Sequence, residues 1–459
     1  MQFSIIKKSD IDKARRFDAE YFKPYYIELY KILSLNFFKP NKELTTIKSG
    51  TTPKNRNDTL KEGIVLLKTD NIRNNILSPD EEYFYITPEV NNKMRSSQVF
   101  PRDVLINIVG ATTDVIGRVA YIPYSFPTAN ITQAMAYCRI KDETILKPEF
   151  LFIYLQTFYG KGQIKRLARP TGQYNLNLNE VGQILIPVLH NNFQQQIENL
   201  VKQAYEHQKQ SKQLYREAEQ LLLEELGLLD YRPKHRLTFT TTKKQVNEAR
   251  RFDAEYFQPK YEEVIRKIKE YPGGSKKIKE LFSQVKSSFS KDLEYWYYIE
   301  ISDINIATGE IILNLYQKKE LPANAKIKVK KGDVIISKVR PNRGAITIID
   351  TEKENLIVSG AFTVLREKNN FKKEVLLTFL KSPVIKNILL RFNTGTSYPV
   401  IKDEDILNFE IPLIRPELQE EIAQKIRQSF ALRRQSKSLL EVAKKRVEEE
   451  IEKAASANE

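Results

Sequence analysis

The distribution of apolar and polar residues along this chain of 459 residues predicts two long helices. Over 191–226, and again over 417–454, apolar or small residues recur at alternating steps of four and three positions. This spacing is typical of a coiled-coil seam. At about 1.5 Å per residue, each helix would be on the order of 50–55 Å long.

The two predicted seams place small residues at matching positions. The first seam consists of Phe193, Ile197, Leu200, Ala204, His207, Ser211, Leu214, Ala218 and Leu221. The second consists of Leu418, Ile422, Ser429, Leu432, Ser436, Leu439, Ala443 and Val447. If the helices pair, the connection between them requires an antiparallel arrangement. We therefore expect a dumbbell with a pseudo-twofold axis near Ser211 and Ser436.

A different pattern occupies the two segments 40–165 and 275–390. Short runs rich in β-branched and aromatic residues are bounded there by Gly, Pro, Asn and Asp, which predicts strands. Examples are Gly63–Leu67, Val104–Val109, Arg118–Ile122, Asp333–Ser337 and Ala345–Ile349. One helix is predicted within each segment, at Pro148–Gln156 and at Lys373–Leu380. The predicted fold class is α+β, with two mostly β domains separated by two long antiparallel helices that form a coiled coil.

The chain contains an internal duplication. The nine residues of Ala14–Phe22 recur unchanged as Ala249–Phe257, which is 249 − 14 = 235 residues later. Weaker matches follow in the same order, such as Arg102–Ile106 with Gly332–Ile336. We interpret this as a tandem repeat of one unit of roughly 225–235 residues. The β-rich segments match poorly, either because they drifted or because they were diversified to recognise different targets.

The repeated nine residues, Ala-Arg-Arg-Phe-Asp-Ala-Glu-Tyr-Phe, favour a structural role. Asp18 and Glu20 have no His or metal partner in the pattern, so acid–base catalysis is weakly supported. We expect the aromatic residues Phe17, Tyr21 and Phe22 to pack against an end of the coiled coil. The Arg and Asp residues would form ion pairs, and phosphate contacts by the Arg residues stay open.

The composition favours a polyanionic partner. Lys and Arg number 74 and Asp and Glu 58, which gives a formal net charge of +16 and a pI near 9.4. A surplus of this size is typical of proteins that bind nucleic acid or an anionic membrane surface. The single Cys138 excludes an intramolecular disulfide framework and a thiolate zinc cluster. With neither a signal peptide nor a transmembrane pattern recognisable, we expect a cytoplasmic protein.

Motifs of catalysis are missing from the sequence. It contains no Walker or GxGxxG loop, no metal-binding His pattern and no amino-methyltransferase motif of the Asn/Asp-Pro-Pro-Tyr/Phe type. Asp80 follows Pro79 without the spaced Glu-x-Lys of a nuclease. A binding subunit is therefore favoured over an enzyme.

The ordered duplication resembles a known family, the specificity subunits of Type I restriction–modification systems. The resemblance covers essentially the whole chain and is carried by Asp103–Ile106, by Thr171-Gly172 through Ile186-Pro187, by Phe193–Ile197 and by their second copies. The nine-residue signature departs from what we associate with every member. This departure leaves a specificity subunit of a related defence system open.

The resemblance implies a function and a set of partners. Each β-rich domain would be a target recognition domain that reads one half of a split, asymmetric sequence in double-stranded DNA, and the coiled coil would fix the gap between the halves. Two methylation subunits and the restriction subunits would be the protein partners. S-adenosylmethionine, ATP and Mg would be bound by those partners only, and this chain would have no catalytic residues, no metal and no cofactor.

The predicted boundaries are 1–190 for the first target recognition domain, 191–227 for the first conserved helix, 228–415 for a linker and the second domain, and 416–455 for the second helix. Basic loops within the two domains are the candidate DNA contacts, because major-groove reading and phosphate binding use such side chains. The loops are Lys48–Arg56, Lys68–Asn75 and Arg166–Asn175 in the first domain, and Lys286–Lys291, Ser337–Arg343 and Arg391–Tyr398 in the second. In the first domain they are Lys48, Ser49, Thr51, Thr52, Lys54, Arg56, Lys68, Arg73, Arg166, Arg169, Gln173 and Tyr174. In the second they are Lys286, Ser288, Lys291, Lys338, Arg340, Asn342, Arg343, Arg391, Thr396 and Tyr398.

Competing interpretations stay open at this point. A basic loop on a chain of this charge can be merely solvated. The chain could be a duplicated coiled-coil adaptor or scaffold without DNA sequence recognition. An RNA-binding module is disfavoured by the single Trp296 and by the absence of an RNP-like aromatic motif.

Overall fold

The structure, a computed structural model, describes residues 4–35, 37–54, 59–170, 172–232, 234–286, 293–395 and 397–457. The chain divides into two compact units. Unit one comprises Met1–Lys209 and Leu432–Glu459, and unit two comprises Gln210–Ala431. The two long helices therefore each contribute one part to unit one and the other part to unit two.

Helices lie at both ends of the repeated sequence and between its strands. The first group is α1 (Lys8–Ala14), α2 (Pro24–Leu33), α3 (Asn41–Leu44), α4 (Pro88–Lys93), α5 (Pro148–Tyr154), α6 (Phe158–Leu167), α7 (Leu178–Gln183) and the long α8 (Asn191–Glu225). The second group is α9 (Lys243–Ala249), α10 (Pro259–Lys269), α11 (Ile278–Leu281), α12 (Lys373–Lys381), α13 (Pro383–Leu389), α14 (Asp403–Leu407) and the long α15 (Pro416–Ser456).

The strands are short, as expected for segments rich in turn residues. Those of unit one are β1 (Phe38–Pro40), β2 (Thr45–Ser49), β3 (Ile64–Leu67), β4 (Asn75–Ile76), β5 (Phe84–Ile86), β6 (Gln98–Val99), β7 (Val104–Asn107), β8 (Val109–Gly110), β9 (Val119–Tyr121), β10 (Ala129–Ile131), β11 (Met135–Ile140), β12 (Arg169–Pro170), β13 (Tyr174–Asn175) and β14 (Leu185–Pro187). Those of unit two are β15 (Ser275–Lys277), β16 (Phe282–Gln284), β17 (Tyr295–Ile299), β18 (Asn314–Gln317), β19 (Ala325–Val329), β20 (Val334–Ser337), β21 (Ile346–Ile348), β22 (Leu356–Ser359), β23 (Phe362–Glu367) and β24 (Glu410–Pro412).

The two main sheets of each unit correspond in strand order, except that β4 of unit one has no counterpart in unit two. In unit one the strand orders are β5-β3-β10-β6 and β2-β11-β7-β9-β4; in unit two they are β18-β17-β22-β19 and β16-β23-β20-β21. The first sheet of each unit has one parallel pair, β3 with β10 and β17 with β22, between antiparallel neighbours. The predicted α+β class and the duplication are thereby confirmed, although the sequences of these segments match poorly.

Each unit has its core on both faces of its central sheet. In unit one, alternate residues of β7 show this: Leu105 packs toward the other sheet, while Val104 and Ile106 pack toward α5, α6 and α8. In unit two, Ile335 of β20 takes the first role, and Val334 and Ile336 take the second. A strand covered on both faces has no polar side, which explains its continuous apolar run.

The long helices pair along a seam that differs in part from the predicted one. The buried or half-buried seam of α8 consists of Ile197, Val201, Ala204, Gln208, Ser211, Tyr215, Ala218 and Leu222. The seam of α15 consists of Ile422, Ile426, Ser429, Arg433, Ser436, Leu440, Ala443 and Val447. The predicted Leu200, Leu221 and Leu439 are half-buried and pack against the cores, and the predicted His207, Leu214 and Leu432 are half-buried as well. The apolar stripe of each helix is therefore wider than the predicted seam and includes the neighbouring positions.

Small residues in the seam bring the helix backbones close together. In unit two, the Ser211 hydroxyl donates to the carbonyl of Ser429 (2.8 Å), and the Ser429 hydroxyl donates to the carbonyl of Ser211 (2.7 Å). In unit one, the Ser436 hydroxyl donates to the carbonyl of Ala204 (2.7 Å). Ser211 is thus partnered by Ser429, and Ser436 by Ala204. That a pseudo-twofold axis lies near Ser211 and Ser436 stays a prediction.

No helix within the described residues is both long enough and apolar enough to cross a membrane.

Candidate nucleic-acid interface

Three predicted loops of unit one converge at one end of its central sheet, around Asn107. The Asn107 amide donates to the carbonyl of Thr69 (3.3 Å), which holds the loop after β3 against the end of β7. The backbone N–H of Thr51 donates to the carbonyl of Ile131 (3.0 Å), which brings in the loop after β2. The third loop arrives through β13, which pairs with β8 directly after Asn107.

Gly50 allows this convergence. A Cβ atom at Gly50 would lie 2.2 Å from the carbonyl oxygen of Ile131 and 2.3 Å from that of Thr132. Real Cβ atoms do not approach backbone oxygens this closely, so any other residue would force the loop after β2 away from the turn between β10 and β11. The glycine in the predicted loop Lys48–Arg56 therefore has a packing reason.

Unit two brings its loops together in the same way around Ser337, which ends β20. The backbone N–H of Arg340 donates to the carbonyl of Pro399 (2.7 Å), and Val339 forms a β-bridge with Val400. On the other side, the N–H of Val285 donates to the carbonyl of Val364 (2.9 Å), which leads the loop after β16 to the same end of the sheet.

The correspondence between the units reveals a fourth loop in each one. The predicted loop Ser337–Arg343 follows β20, and its counterpart after β7 in unit one is the exposed turn 111–114. The predicted loop Lys68–Asn75 follows β3, and its counterpart after β17 in unit two is 300–307. Sequence reasoning missed both because it selected basic loops, whereas 111–114 has no basic residue and 300–307 contains Glu300 and Asp303. Their position directly after a buried strand was the available signal.

Most predicted contact residues of unit one lie at this loop end. The exposed ones are Lys48, Thr51, Lys54, Arg73, Arg169 and Gln173, and the half-buried ones are Ser49, Thr52, Lys68, Arg166 and Tyr174. Arg56 lies outside the described residues. Arg73 donates to the carbonyl of Asp70 (2.7 Å), Arg169 donates to Glu180 (2.6 Å), and the Lys68 amine lies 2.8 Å from the ring centre of Phe84.

The predicted residues of unit two divide similarly. The exposed ones are Lys286, Arg340, Asn342, Arg343 and Tyr398, and the half-buried ones are Lys338 and Arg391. Ser288, Lys291 and Thr396 lie outside the described residues. Lys338 forms an ion pair with Asp403 (3.2 Å), and the Arg340 guanidinium lies 5.5 Å from the ring centre of Tyr398.

Two predicted contacts, Arg166 and Arg391, are engaged inside their own units. The Arg166 guanidinium lies 4.2 Å from the ring centre of Tyr21 and 3.9 Å from that of Tyr30, and it donates to the carbonyl of Tyr21 (3.0 Å). The Arg391 guanidinium lies 4.4 Å from the ring centre of Tyr256. Each arginine thus holds one copy of the nine-residue signature in place, and its role in DNA binding stays a prediction.

The second arginine of each signature anchors the segment that leads into the last loop. Arg16 donates to the carbonyl of Leu167 (2.9 Å), and Arg251 donates to the carbonyl of Asn393 (2.8 Å). Each also binds the aspartate two residues later, and this hydrogen bond holds the pKa of Asp18 and that of Asp253 below the usual aspartate value. The expected ion pairs are therefore present.

The aromatic residues of the signature behave only partly as predicted. Phe22 is buried and Tyr21 packs edge-on against it, with ring centres 4.9 Å apart. Phe17, which was expected to pack, is 87% exposed. That prediction was wrong, because the backbone turn that buries Arg16 directs the next side chain outward.

An Asp–Arg pair with a buried aspartate and a half-exposed arginine in each unit was missed by sequence reasoning. Asp103 accepts two hydrogen bonds from Arg139 (2.8 and 2.7 Å), and Asp333 accepts two from Arg366 (both 2.8 Å). The aspartate belongs to the quoted motif before β7 and before β20, but its arginine lies 36 or 33 residues further along the chain. Bidentate pairs of this kind fix geometry as well as charge.

Within the described residues, no group of three or more His, Cys, Asp and Glu side chains is arranged to hold a metal ion.

Comparison with known proteins finds one matching family model. The model described as the Type I restriction modification DNA specificity domain matches residues 37–220 and 274–442. The two matches fall on the two copies of the duplicated unit, and together they cover most of the chain.

Two curated relatives match part of the chain. The HindI Type I restriction enzyme specificity subunit of Haemophilus influenzae is 26% identical over 151 residues, which are 30% of this chain and 32% of that protein. The EcoBI Type I restriction enzyme specificity subunit of Escherichia coli is 32% identical over 139 residues, 29% of this chain and 28% of that protein. The matches span about a third of the length of these relatives.

Solved structures of similar chains cover more of the length at lower identity. A Type I restriction–modification S subunit from M. genitalium is 15% identical, with a TM-score of 0.42, over 90% of this chain and 95% of that one. The HsdS subunit of Thermoanaerobacter tengcongensis is 17% identical, with a TM-score of 0.27, over 89% of this chain and 94% of that one.

Proposed function

This chain belongs to the Type I restriction–modification DNA specificity family, and from that premise we propose that it recognises a bipartite, asymmetric target in double-stranded DNA. Unit one would read one half of the target and unit two the other. The chain would direct a methylation and restriction complex to that target without contributing catalytic residues. The predicted division into 1–190, 191–227, 228–415 and 416–455 forms part of this proposal.

The observation that carries the proposal is the pair of loop ends. The same sheet arrangement occurs twice, and in each unit four loops meet where the central strand β7 or β20 ends. The frame is common to both units, but the loops differ in charge and length. A protein that reads two different half-sites with one duplicated frame requires this combination.

Physical considerations assign two tasks to these loops. The major groove gives each base pair a distinct pattern of donors and acceptors, which Arg, Asn, Gln, Ser and Thr side chains can read. Lys and Arg contacts to phosphates position the protein and make binding depend on salt. The exposed Lys48, Arg73, Arg340 and Arg343 are suited to either task.

The proposed partners follow from the family. Two methylation subunits would bind this chain, and restriction subunits would join for cleavage. S-adenosylmethionine, ATP and Mg²⁺ would be bound by those subunits. A methylation subunit must turn its target base out of the duplex, at a cost of about a few kcal/mol, so firm docking on both half-sites supports the reaction.

The helices α8 and α15 would set the gap between the half-sites. Two modest affinities joined by a stiff spacer act together only when the spacer matches the span. Inserting one heptad into both helices should therefore change the recognised gap and leave both half-sites unchanged. An unchanged gap in methylation mapping would contradict this part of the proposal.

The central experiment is a binding titration of the chain, together with its methylation subunit, on duplex DNA. Methylation mapping of host DNA supplies the target, and fluorescence anisotropy measures affinity between 50 and about 200 mM salt, a range over which phosphate contacts weaken binding strongly. We expect Arg73→Ala to weaken binding to one half-site only and Arg343→Ala to weaken binding to the other. Each lost phosphate contact should reduce the slope of log K against log salt by about 1.

Two results would contradict the proposal. Equal affinity for target and scrambled DNA would leave the chain as an adaptor whose charge is incidental. A loss of affinity for the same half-site in both variants would show that the two units do not divide the target.

A further inference from the structure

Two phenylalanines with identical neighbours project into solvent from the two units. Phe17 is 87% exposed and Phe252 is 89% exposed, although both belong to the unchanged nine-residue signature. Exposure to this extent leaves almost the whole ring in water, which costs the burial free energy that a packed phenylalanine gains. An exposed aromatic residue kept in both copies therefore requires a reason other than folding of its own unit.

The backbone presents both rings in the same way. The short helices α1 and α9 end immediately before the signature residues Arg15 and Arg250, which have φ values of 50° and 51°. This left-handed conformation is uncommon for residues other than glycine. The next arginine then turns inward to its aspartate and to a backbone carbonyl, so that the phenylalanine turns outward.

Arginine side chains accompany the two rings. Arg15 and Arg250 are exposed, and neither makes a side-chain hydrogen bond or ion pair within the described part of the chain. Each unit thus presents one free guanidinium two residues before one free phenyl ring. The complementary surface is an apolar pocket with a carboxylate at its edge.

Folding explains only part of the signature's identity. The inward residues Arg16, Asp18, Tyr21 and Phe22 make the contacts that attach it to unit one. The outward residues Arg15, Phe17 and Ala19 are exposed, as are their three counterparts in unit two, and yet they are also identical. Exposed positions that serve no common partner would be free to diverge between the copies.

The residues directly before the signature provide an internal comparison. Positions 9–13 read Ser-Asp-Ile-Asp-Lys, whereas the corresponding positions 244–248 read Lys-Gln-Val-Asn-Glu. Both segments are largely solvent-facing helix, and they have diverged. The sequences of the two copies therefore differ over positions 9–13 and become identical in the segment that contains the exposed Arg15 and Phe17.

We propose that Phe17 with Arg15, and Phe252 with Arg250, form two equivalent docking sites for two copies of the methylation subunit of the same system. Surfaces that read different half-sites should differ between units, so the identity of these sites argues against base reading. A phenyl ring also has no donor for a phosphate. Phenylalanine and arginine are both enriched in protein–protein interfaces relative to the rest of the surface.

The inference rests on the proposed function, because the methylation subunit of the same system is the probe for its test. The full chain and that subunit are mixed, and the masses of the intact complexes are recorded by native mass spectrometry. We expect two bound copies for the unchanged chain, one for Phe17→Ser, one for Phe252→Ser, and none for the double variant at concentrations near the dissociation constant. Each substitution should weaken its own site at least about 30-fold.

Matched controls come from exposed apolar residues outside the signature. Ile5 is 92% exposed and Leu237 is 94% exposed, and neither belongs to a repeated motif. Ile5→Ser and Leu237→Ser should both keep two bound copies. Because all four positions are exposed, none of these changes removes a core contact.

The possible outcomes distinguish a failure of the proposed docking sites from a failure of the proposed specificity function. A double variant that still binds two copies would overturn the docking sites while leaving the specificity role intact. A double variant that keeps two copies but loses DNA affinity would mean that the rings contact DNA, which also overturns the inference. An unchanged chain that binds no methylation subunit would overturn the proposed function first.

Discussion

A buried glutamate occupies the same place in both units but has different partners. Glu149 is the second residue of α5 and is fully buried, and Glu374 is the second residue of α12 and is 5% exposed. In unit one, the Glu149 carboxylate accepts a hydrogen bond from the Tyr121 hydroxyl (2.5 Å) and lies 3.2 Å from the Arg102 guanidinium. Both partners come from the neighbourhood of the central sheet.

Unit two has replaced both of those partners. Gly332 precedes β20 where Arg102 precedes β7, and Ile348 ends β21 where Tyr121 ends β9. The Glu374 carboxylate instead lies 3.6 Å from Arg427, which belongs to α15. The buried glutamate therefore keeps its position in both units, whereas the arginine that pairs with it comes from the loop before β7 in unit one and from α15 in unit two.

The difference between these two ion pairs gives the largest expected effect. Arg102 is 17% exposed, whereas Arg427 is 46% exposed. Removing Glu149 leaves the Arg102 guanidinium with Glu143 (2.9 Å), which is 48% exposed, and leaves the buried Tyr121 hydroxyl without its acceptor, so we expect a cost of about 2–4 kcal/mol. Removing Glu374 leaves a cation that water can solvate, so we expect about 1–2 kcal/mol. Urea unfolding of Glu149→Ala and Glu374→Ala measures both changes.

The chain contains one natural probe for each unit. Cys138 is buried in unit one, where burial raises the pKa of its thiol to about 11, so alkylation at neutral pH requires opening of that unit. Trp296, the single tryptophan, is buried in unit two and reports by fluorescence. Equal destabilisation by the two glutamate substitutions would contradict the argument from solvent access.

A second pair of positions contrasts a polar network with an apolar contact. In unit one, the Tyr154 hydroxyl donates to the carbonyl of Leu185 (2.6 Å) and accepts from the Gln163 amide (2.8 Å). In unit two, Phe379 and Ile388 stand at the corresponding positions, and both are buried. One frame therefore accommodates either a hydrogen-bonded pair or an apolar pair at this place.

This contrast predicts that copying the apolar pair of unit two costs unit one stability in two steps. Tyr154→Phe should destabilise unit one by about 1 kcal/mol, because the Gln163 amide and the Leu185 carbonyl each lose one partner but keep their bond to each other (3.0 Å). Adding Gln163→Ile also removes that bond and the acceptor of the Leu185 N–H (2.7 Å), so the double variant should lose about 1–3 kcal/mol more. The alkylation rate of Cys138 in urea measures both variants. A double variant as stable as Tyr154→Phe would contradict this role of Gln163.

Sequence alone predicted the features that depend on local pattern. The runs at Gly63–Leu67 and Asp333–Ser337 became β3 and β20, and the helices began at Pro148 and Lys373 as expected. The exact duplication identified the repeat, and the order of its motifs identified the family. These features can be predicted because strand propensity, helix starts and repeat order depend on residues that are close together in the sequence.

The features that sequence missed depend on residues distant along the chain. Nothing near Asp103 indicates that Arg139 binds it, and nothing near Arg166 indicates that its guanidinium stacks on Tyr21 and Tyr30. The loops 111–114 and 300–307 were overlooked because only basic loops were selected. The position of a loop at the end of a sheet cannot be recognised from its composition. The exposed Phe17 was expected to pack against an end of the coiled coil, because aromatic side chains are more often buried than exposed.

The signature provides the comparison with the smallest effect, because its two copies should behave alike. Hydrogen bonds from Arg16 and Arg251 lower the pKa of Asp18 and that of Asp253 below the ordinary value of 3.8. A lowered folded-state pKa stabilises the protein above the unfolded pKa, and the benefit disappears as the pH falls through the folded-state value. Because both pairs are partly exposed, we expect Asp18→Asn and Asp253→Asn each to cost only about 0.3–1 kcal/mol at pH 7. That cost should stay constant from pH 7 to about pH 5 and shrink below about pH 4.

Urea midpoints of the two variants and the unchanged chain, recorded across this range, test the prediction. A pH dependence that differs between the two variants would mean that identical residues have unequal surroundings, which would limit how far the duplication determines the local energetics.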